Sequence, residues 1–286
     1  MMSKIQAIIK LCLYEFRIEI HSKRVLLGYL VGIVIILKQA VAYMMYAKEI
    51  GMSVNVLESF IISGNNYNTV MFLVLGWLLI ISEAPFVNSN STFLIYRTER
   101  KIWNYAMIFY ILIQGVCYYA VIAISSIFIS ISNGYFANIW STAIINLSSN
   151  GNKVNAMEVY FPYQSFMKQE SVFEAFVITW TLCLLYGIIL AMVLYVFNLF
   201  TNPIAGAVIA FLFHFLGYEL MKEGFMIEIK YSLLARSVPV LLIGNDLGVT
   251  LQQSYGVSAV FVVVLILISN KIVRYVDYKE ISRGEE

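Results

Sequence analysis

Long uninterrupted apolar runs dominate the chain, and polar residues gather in the shorter stretches between them. A helix rises 1.5 Å per residue, so about 20 apolar residues cross the roughly 30 Å hydrocarbon core of a bilayer. Six stretches reach or approach that length: Val25–Tyr46, Thr69–Val87, Trp103–Ser132, Val172–Phe200, Pro203–Met221 and Tyr255–Tyr275. Barrel strands alternate apolar and polar positions over about 10 residues, whereas a run such as "VSAVFVVVLILISN" is apolar almost throughout. The pattern therefore predicts membrane helices. The third and fourth stretches are long enough to tilt or to extend beyond the membrane.

Shorter patterns fill the remainder. Ile5, Ile8, Ile9, Cys12, Leu13, Phe16 and Ile20 recur at helical spacing, while Lys4, Lys10, Glu15, Arg17 and Glu19 fall largely elsewhere around the wheel. Residues 1–24 thus read as an amphipathic helix in the membrane interface, the alternative being a plain extension of the first span. His21–Arg24 marks the turn into the membrane. Ala47–Asn68, Asn133–Ser171 and Lys222–Ser254 are too short for independent domains. Within the second of these, "INLSSNGNKVN" reads as a loop; its Asn146-Leu147-Ser148 triplet is a glycosylation acceptor only in a eukaryotic secretory route. Within the third, Leu233–Ile243 is apolar, interrupted by Arg236 and Pro239, and too short to cross. Two readings stay open for it: a re-entrant or interfacial helix, or a loop packed on neighbouring helices.

Composition sharpens the class. The chain has 286 residues, 60% hydrophobic and 13% charged, with a mean hydropathy of +0.80, against about 25% charge in a soluble domain. Of the 19 Lys and Arg residues, twelve fall on the segments expected inside, six outside, and Lys38 within a span. By the positive-inside rule both termini are cytoplasmic. The expected fold is thus one all-α membrane domain over residues 1–286, with an interfacial helix, six transmembrane helices, an inner loop over 88–102 and an outer segment over 222–254. The net charge of +2 is sorted by side, and no basic stripe with stacking aromatics points to nucleic acid. Cys12, Cys117 and Cys183 are widely separated, giving neither a disulfide framework nor metal spacing. The first apolar run is longer than a signal-peptide core; Ala40 and Ala42 only faintly resemble a cleavage site.

Candidate chemistry is sparse. His21 and His214 are the only histidines and sit in different stretches, so a two-His metalloprotease helix is missing, as are a Gly-x-Ser-x-Gly turn and a phosphate-binding Gly-x-x-x-x-Gly-Lys loop. No catalytic, cofactor-binding or metal-ligating residue is expected. Ionisable and polar residues inside spans are functional candidates, which singles out Lys38, His214 and Gln114 as pathway residues; Glu219 falls at the outer boundary. Gly28 with Gly32, and Gly206 with Ala210, form small faces for close helix approach, either between two copies or within one chain. Tyr118, Tyr119, Tyr186 and Tyr195 suit amphipathic cargo and interface anchoring equally.

The inner stretch "ISEAPFVNSNSTFLIYRTERKIWNYAMIFYILIQG" resembles the corresponding segment of the permease subunits of type-2 ATP-binding-cassette (ABC) exporters. There an acidic residue and a Gly-Thr pair precede a short cytoplasmic helix, and an Arg leads into the third span. Thr92 and Arg100 stand at matching positions; Asn88 or Asn90 and Ser91 replace the acidic residue and the Gly, with Glu83 farther upstream. The resemblance extends over the whole chain: an interfacial helix, six spans with both ends inside, an inner loop after the second span and a short outer element before the sixth. It implies that Phe93–Trp103 docks into a separate ABC ATPase subunit, through Phe93, Leu94, Arg97, Glu99, Arg100 and Lys101. Their mixed apolar and charged character suits insertion into a groove, although Arg and Lys are expected in any cytoplasmic loop. It also implies ATP and Mg on the partner ATPase, pairing with a second or homologous permease copy, and a bacterial cytoplasmic membrane. The implied cargo is amphipathic: a peptide, bacteriocin-like toxin, drug or lipid. Two other classes stay open. An ion-coupled transporter or channel would show mid-membrane carboxylates or His and broken helices, and the six stretches hold no such carboxylate; a membrane immunity or scaffold protein would bind without transport.

Overall fold

The computed structural model describes residues 3–86, 98–149, 164–201, 203–223, 229–243 and 248–275. Its helices are α1 (Lys4–Glu19), α2 (Lys23–Glu49), α3 (Glu58–Asn65), α4 (Tyr67–Ile81), α5 (Arg100–Ser130), α6 (Thr142–Ser149), α7 (Gln164–Gln169), α8 (Val172–Phe200), α9 (Pro203–Lys222), α10 (Pro239–Leu242) and α11 (Leu251–Ile272). A parallel two-residue bridge joins β1 (Val54–Asn55) to β2 (Gly134–Tyr135). Among the described residues, α2, α5 with the turn to Asn133, α8, α9 from Ile204, and α11 are each long and apolar enough to cross a membrane; α3 and α4 pass together as a pair bent by 90°. The chain is a multi-pass, all-α membrane protein.

Local chemistry sets the helix ends. Ser3 with Gln6, Ser171 with Glu174, and Thr250 with Gln253 form reciprocal capping boxes at the starts of α1, α8 and α11. Ser22 accepts from Val25 N to start α2, and Gly51, at φ +67°, lets the chain turn away from its end. The second apolar stretch is shorter than its pattern predicts: α4 stops at Ile81 rather than running to Val87, and a turn closed by Ala84 N on Ile81 O leads into Pro85, which has no N–H to continue a helix.

The connecting segments also differ from the sequence expectation. Ala47–Asn68 reads as a polar connection, yet α3 is buried at every residue. Its Glu58 carboxyl accepts from Tyr43 Oη (2.7 Å), Asn55 N (3.1 Å), Ser141 N (2.6 Å) and Ser141 Oγ (2.7 Å). These bonds join α2, the β1 end, α3 and the start of α6. The run from Ile145 to Ser149, read as loop, is helical in α6, and Asn146 accepts from Tyr46 Oη at 3.2 Å; residues 150–155 lie outside the described residues. Leu233–Ile243 forms two short helical turns, Ala235–Ser237 and α10, broken before Pro239 and buried against α8. Val240 N donates to Asn65 Oδ1 at 2.8 Å.

The core is aromatic: Trp77, Trp103, Tyr110, Tyr118, Tyr119 and Tyr195 are fully buried. Trp77 Nε1 donates to Gly187 O (2.7 Å) and Tyr118 Oη to Leu73 O (2.6 Å). Tyr118, Tyr119, Tyr186 and Tyr195 therefore join helices inside the bundle and do not anchor at the interface. The small faces are consumed in the same way. A Cβ on Gly28 would lie 2.6 Å from Gly76 O, one on Gly32 would lie 2.5 Å from Tyr118 Oη, and one on Gly206 would meet Leu194 O at 2.6 Å. Ala210 is fully buried. Both small faces seat one helix of the chain on another.

Two stability outcomes follow. Gly76→Ala places a Cβ 2.8 Å from Gly28 O and 2.6 Å from Tyr118 Oη, and backbone on one side cannot yield. Thermal unfolding in detergent should show a loss of about 1–3 kcal/mol, whereas Gly256→Ala, with nothing within 4 Å, should show none. Glu58→Leu strands buried donors and should cost about 3 kcal/mol or more; an unchanged melting temperature would show the network to be dispensable.

Candidate functional site

Two further polar constellations lie at the ends of the α2–α4 contact. The first lies on the face where the N-terminal helix sits. Arg24, in the first turn of α2, is nearly buried and reaches three elements at once. Its guanidinium pairs with Glu19 at the end of α1, lies 3.3 Å from Glu83 after α4, and donates to Ile80 O at 2.6 Å. The Phe86 ring packs against it at 5.3 Å. A cation among the last carbonyls of a helix also meets the negative end of its dipole.

Glu15 lies one turn before Glu19 and is buried with only 2% exposed, its Oε2 without a hydrogen-bond partner. From the sequence, Glu15 and Glu19 are expected largely away from the apolar positions of α1. The structure corrects this: Cys12, Glu15 and Glu19 face the bundle, while Ile5, Ile9, Leu13 and Ile20 point outward. At about 100° per residue Glu15 and Glu19 fall beside Ile8 and Cys12; Ile8, Leu11 and Phe16 pack on the core with them, and Arg24 pairs with Glu19 there.

The same face is tied laterally. Lys4 pairs with Glu99 at 3.1 Å. Arg100 Nη1 donates to Arg274 O at 2.6 Å, joining the start of α5 to the end of α11. Asn198 on α8 donates to Ser82 O (3.1 Å) and Ala84 O (2.6 Å). Asn104 on α5 donates to Asn270 Oδ1 (3.0 Å) and accepts from Tyr195 Oη (2.7 Å). Of the residues expected to dock an ATPase, Glu99 and Arg100 make these internal contacts and Lys101 is exposed; Phe93, Leu94 and Arg97 lie outside the described residues.

The second constellation lies in the bundle wall. A cavity of about 450 Å³ opens between α2 and the start of α4, lined by Ile35, Lys38, Gln39, Asn66, Asn68, Thr69 and Phe72. Lys38 lies about 22 Å along α2 from Lys23 at the helical rise. Asn66, at the bend between α3 and α4, caps α4 by accepting from Asn68 N (2.9 Å) and Thr69 N (3.4 Å). Tyr218 Oη donates to Asn68 Oδ1 at 3.0 Å, which leaves the Asn68 amide group as a donor.

The other two pathway candidates sit elsewhere. His214 is fully buried; its Nδ1 lies 2.8 Å from Tyr186 Oη and its Nε2 3.1 Å from Met71 O. Since a carbonyl only accepts, Nε2 carries the proton and Nδ1 accepts from the tyrosine, so His214 links α9 to α8 and α4. Gln114 donates to Tyr29 Oη at 3.3 Å, joining α5 to α2. Both are internal links. No group of His, Cys, Asp and Glu able to hold a metal occurs among the described residues.

The Arg24 joint carries a pH signature. Burial, reinforced by the Glu19 charge, pushes the Glu15 carboxyl from 4.5 up to about 8. A carboxyl raised on folding binds more protons in the folded than in the unfolded state, so its contribution is full at low pH and is lost as pH rises. Cys12, Glu19 and Tyr110 are the titratable groups around it, and Arg24 neighbours Glu19 and Tyr110. Stability in detergent should fall between pH 4.5 and about 8 and level off above, and Glu15→Gln should flatten that slope. Parallel wild-type and variant curves from thermal unfolding would count against a buried proton at Glu15.

No protein-family model, curated protein or solved structure matches the chain.

Proposed function

We propose that this chain is the permease subunit of an ATP-driven exporter of the type-2 ABC kind, crossing a bacterial cytoplasmic membrane six times with both termini inside. In this reading the bent α3–α4 pair is the second crossing. The observation that carries it is the Arg24 joint: one side chain fastens the interfacial helix, the first span and the end of α4, from which the segment resembling the docking loop departs. A displacement of that loop by a partner ATPase would be delivered to α1, α2 and α4 together. ATP and Mg belong to the partner, and the permease supplies geometry. A second copy or homologous permease completes the pathway for an amphipathic substrate.

The ion-coupled alternative gains one observation of its own: α3 and α4 form a broken pair, and α3 carries a buried carboxyl at Glu58. Against it, the donors around Glu58 all come from this chain and hold the outer elements in place.

Affinity purification of the tagged full chain from its native membrane separates the two. An ABC ATPase should co-purify with wild type and drop about tenfold with Arg97→Glu and Lys101→Glu combined, the equivalent of roughly 1.4 kcal/mol. Vesicles containing both proteins should then transport only with ATP. Transport driven by an ion gradient without the ATPase would sink the assignment.

A further inference from the structure

We propose that the cavity beside Lys38 binds the oxyanion headgroup, carboxylate or phosphate, of a membrane amphiphile that enters sideways from the lipid. The first reason is charge. Lys38 supplies the only formal charge in the lining, and no carboxylate is among the lining side chains. A cation within an apolar span is costly and marks a functional position. The second reason is donor supply. Asn68 and Thr69 add an amide and a hydroxyl group beside the ammonium, and Tyr218 holds Asn68 so that its amide nitrogen remains the donor. The bend at Asn66 also brings the positive end of the α4 dipole to this spot. At the opposing carbonyl end of α3, Ser63 O accepts from Asn66 N at 3.3 Å and Gly64 O from Cys183 Sγ at 4.0 Å.

The third reason concerns access. Phe72 borders the cavity and is 51% exposed, and Val34, one turn from Lys38 on α2, is 54% exposed. The mouth is therefore framed by outward-facing apolar side chains, which accommodate an alkyl chain and not a hydrated ion. The volume of about 450 Å³ accepts a headgroup but not a folded peptide. This site is independent of the ATPase reading: it would stand in an ion-coupled transporter as well.

Native mass spectrometry of the full chain in neutral detergent tests it, with phosphatidylglycerol, oleic acid, neutral diacylglycerol and inorganic phosphate as separate probes. Retention of phosphatidylglycerol or oleate over diacylglycerol is expected. Lys38→Gln should weaken that retention about tenfold, and Lys38→Arg should keep it. Asn68→Asp preserves the acceptor for Tyr218 while adding a negative charge to the lining, so it should weaken retention without unfolding the protein. Equal retention of diacylglycerol, unchanged binding in both Lys38→Gln and Asn68→Asp, or inorganic phosphate displacing the amphiphile as a free ion would each overturn the proposal.

Discussion

The architecture turns on a helix that is too short. α4 has 15 residues and rises about 22 Å, less than the roughly 30 Å of hydrocarbon it faces. Unpaired backbone groups at its ends need partners, because lipid offers none. At the amide end Asn66 turns the chain through 90° and caps the first turn. At the carbonyl end Arg24 comes across from α2 to Ile80 O, and Ser82 Oγ donates to Leu79 O. Both polar constellations are consequences of these two repairs. Arg24 attracts Glu19 and Glu83 and so fixes α1, while the bend at Asn66 opens the space that Lys38 borders.

Much of the bundle could be read from apolar run length, since a helix such as α8 needs no partner to be recognised: its 29 residues carry their own signal. What stayed hidden depended on residues distant in sequence. The α3 segment ESFIISGN contains Glu, Ser, Gly and Asn and resembles an exposed connection, yet Ser141, 83 positions away, satisfies its acid. Helical spacing puts Glu15 and Glu19 of α1 beside Ile8 and Cys12, but it cannot say that Arg24 meets Glu19 there. The small faces at Gly28 and Gly206 announced close approach without announcing the partner, which proved to be α4 and α8. Lys38 was legible because a single cation in an apolar run violates the pattern. The cavity next to it was not, since it is made by a bend that Asn65-Asn66 encodes only in context.

The same contacts limit how the protein can move. Gly28 and Gly76 bring the backbones of α2 and α4 together, and Tyr118 from α5 lies against Gly32 and Gly76 while bonding Leu73 O. Packing of this density resists sliding of the three helices past one another. The Arg24 joint lies at one end of the α2–α4 contact and the Lys38 cavity at the other. A force on the joint would pass along α2 and α4 to α8 and α9, which meet this packed group through the Trp77–Gly187, Asn198–Ala84 and Tyr186–His214–Met71 contacts. Ser141 before α6 is fastened to α2 and α3 through Glu58 and Tyr43, so movement of α2 also pulls on that segment. In the proposed exporter, this geometry makes the α2–α4 pair the lever. The bend at Asn66 is where the lever meets α3, and an amphiphile headgroup lodged beside Lys38 would sit on that hinge.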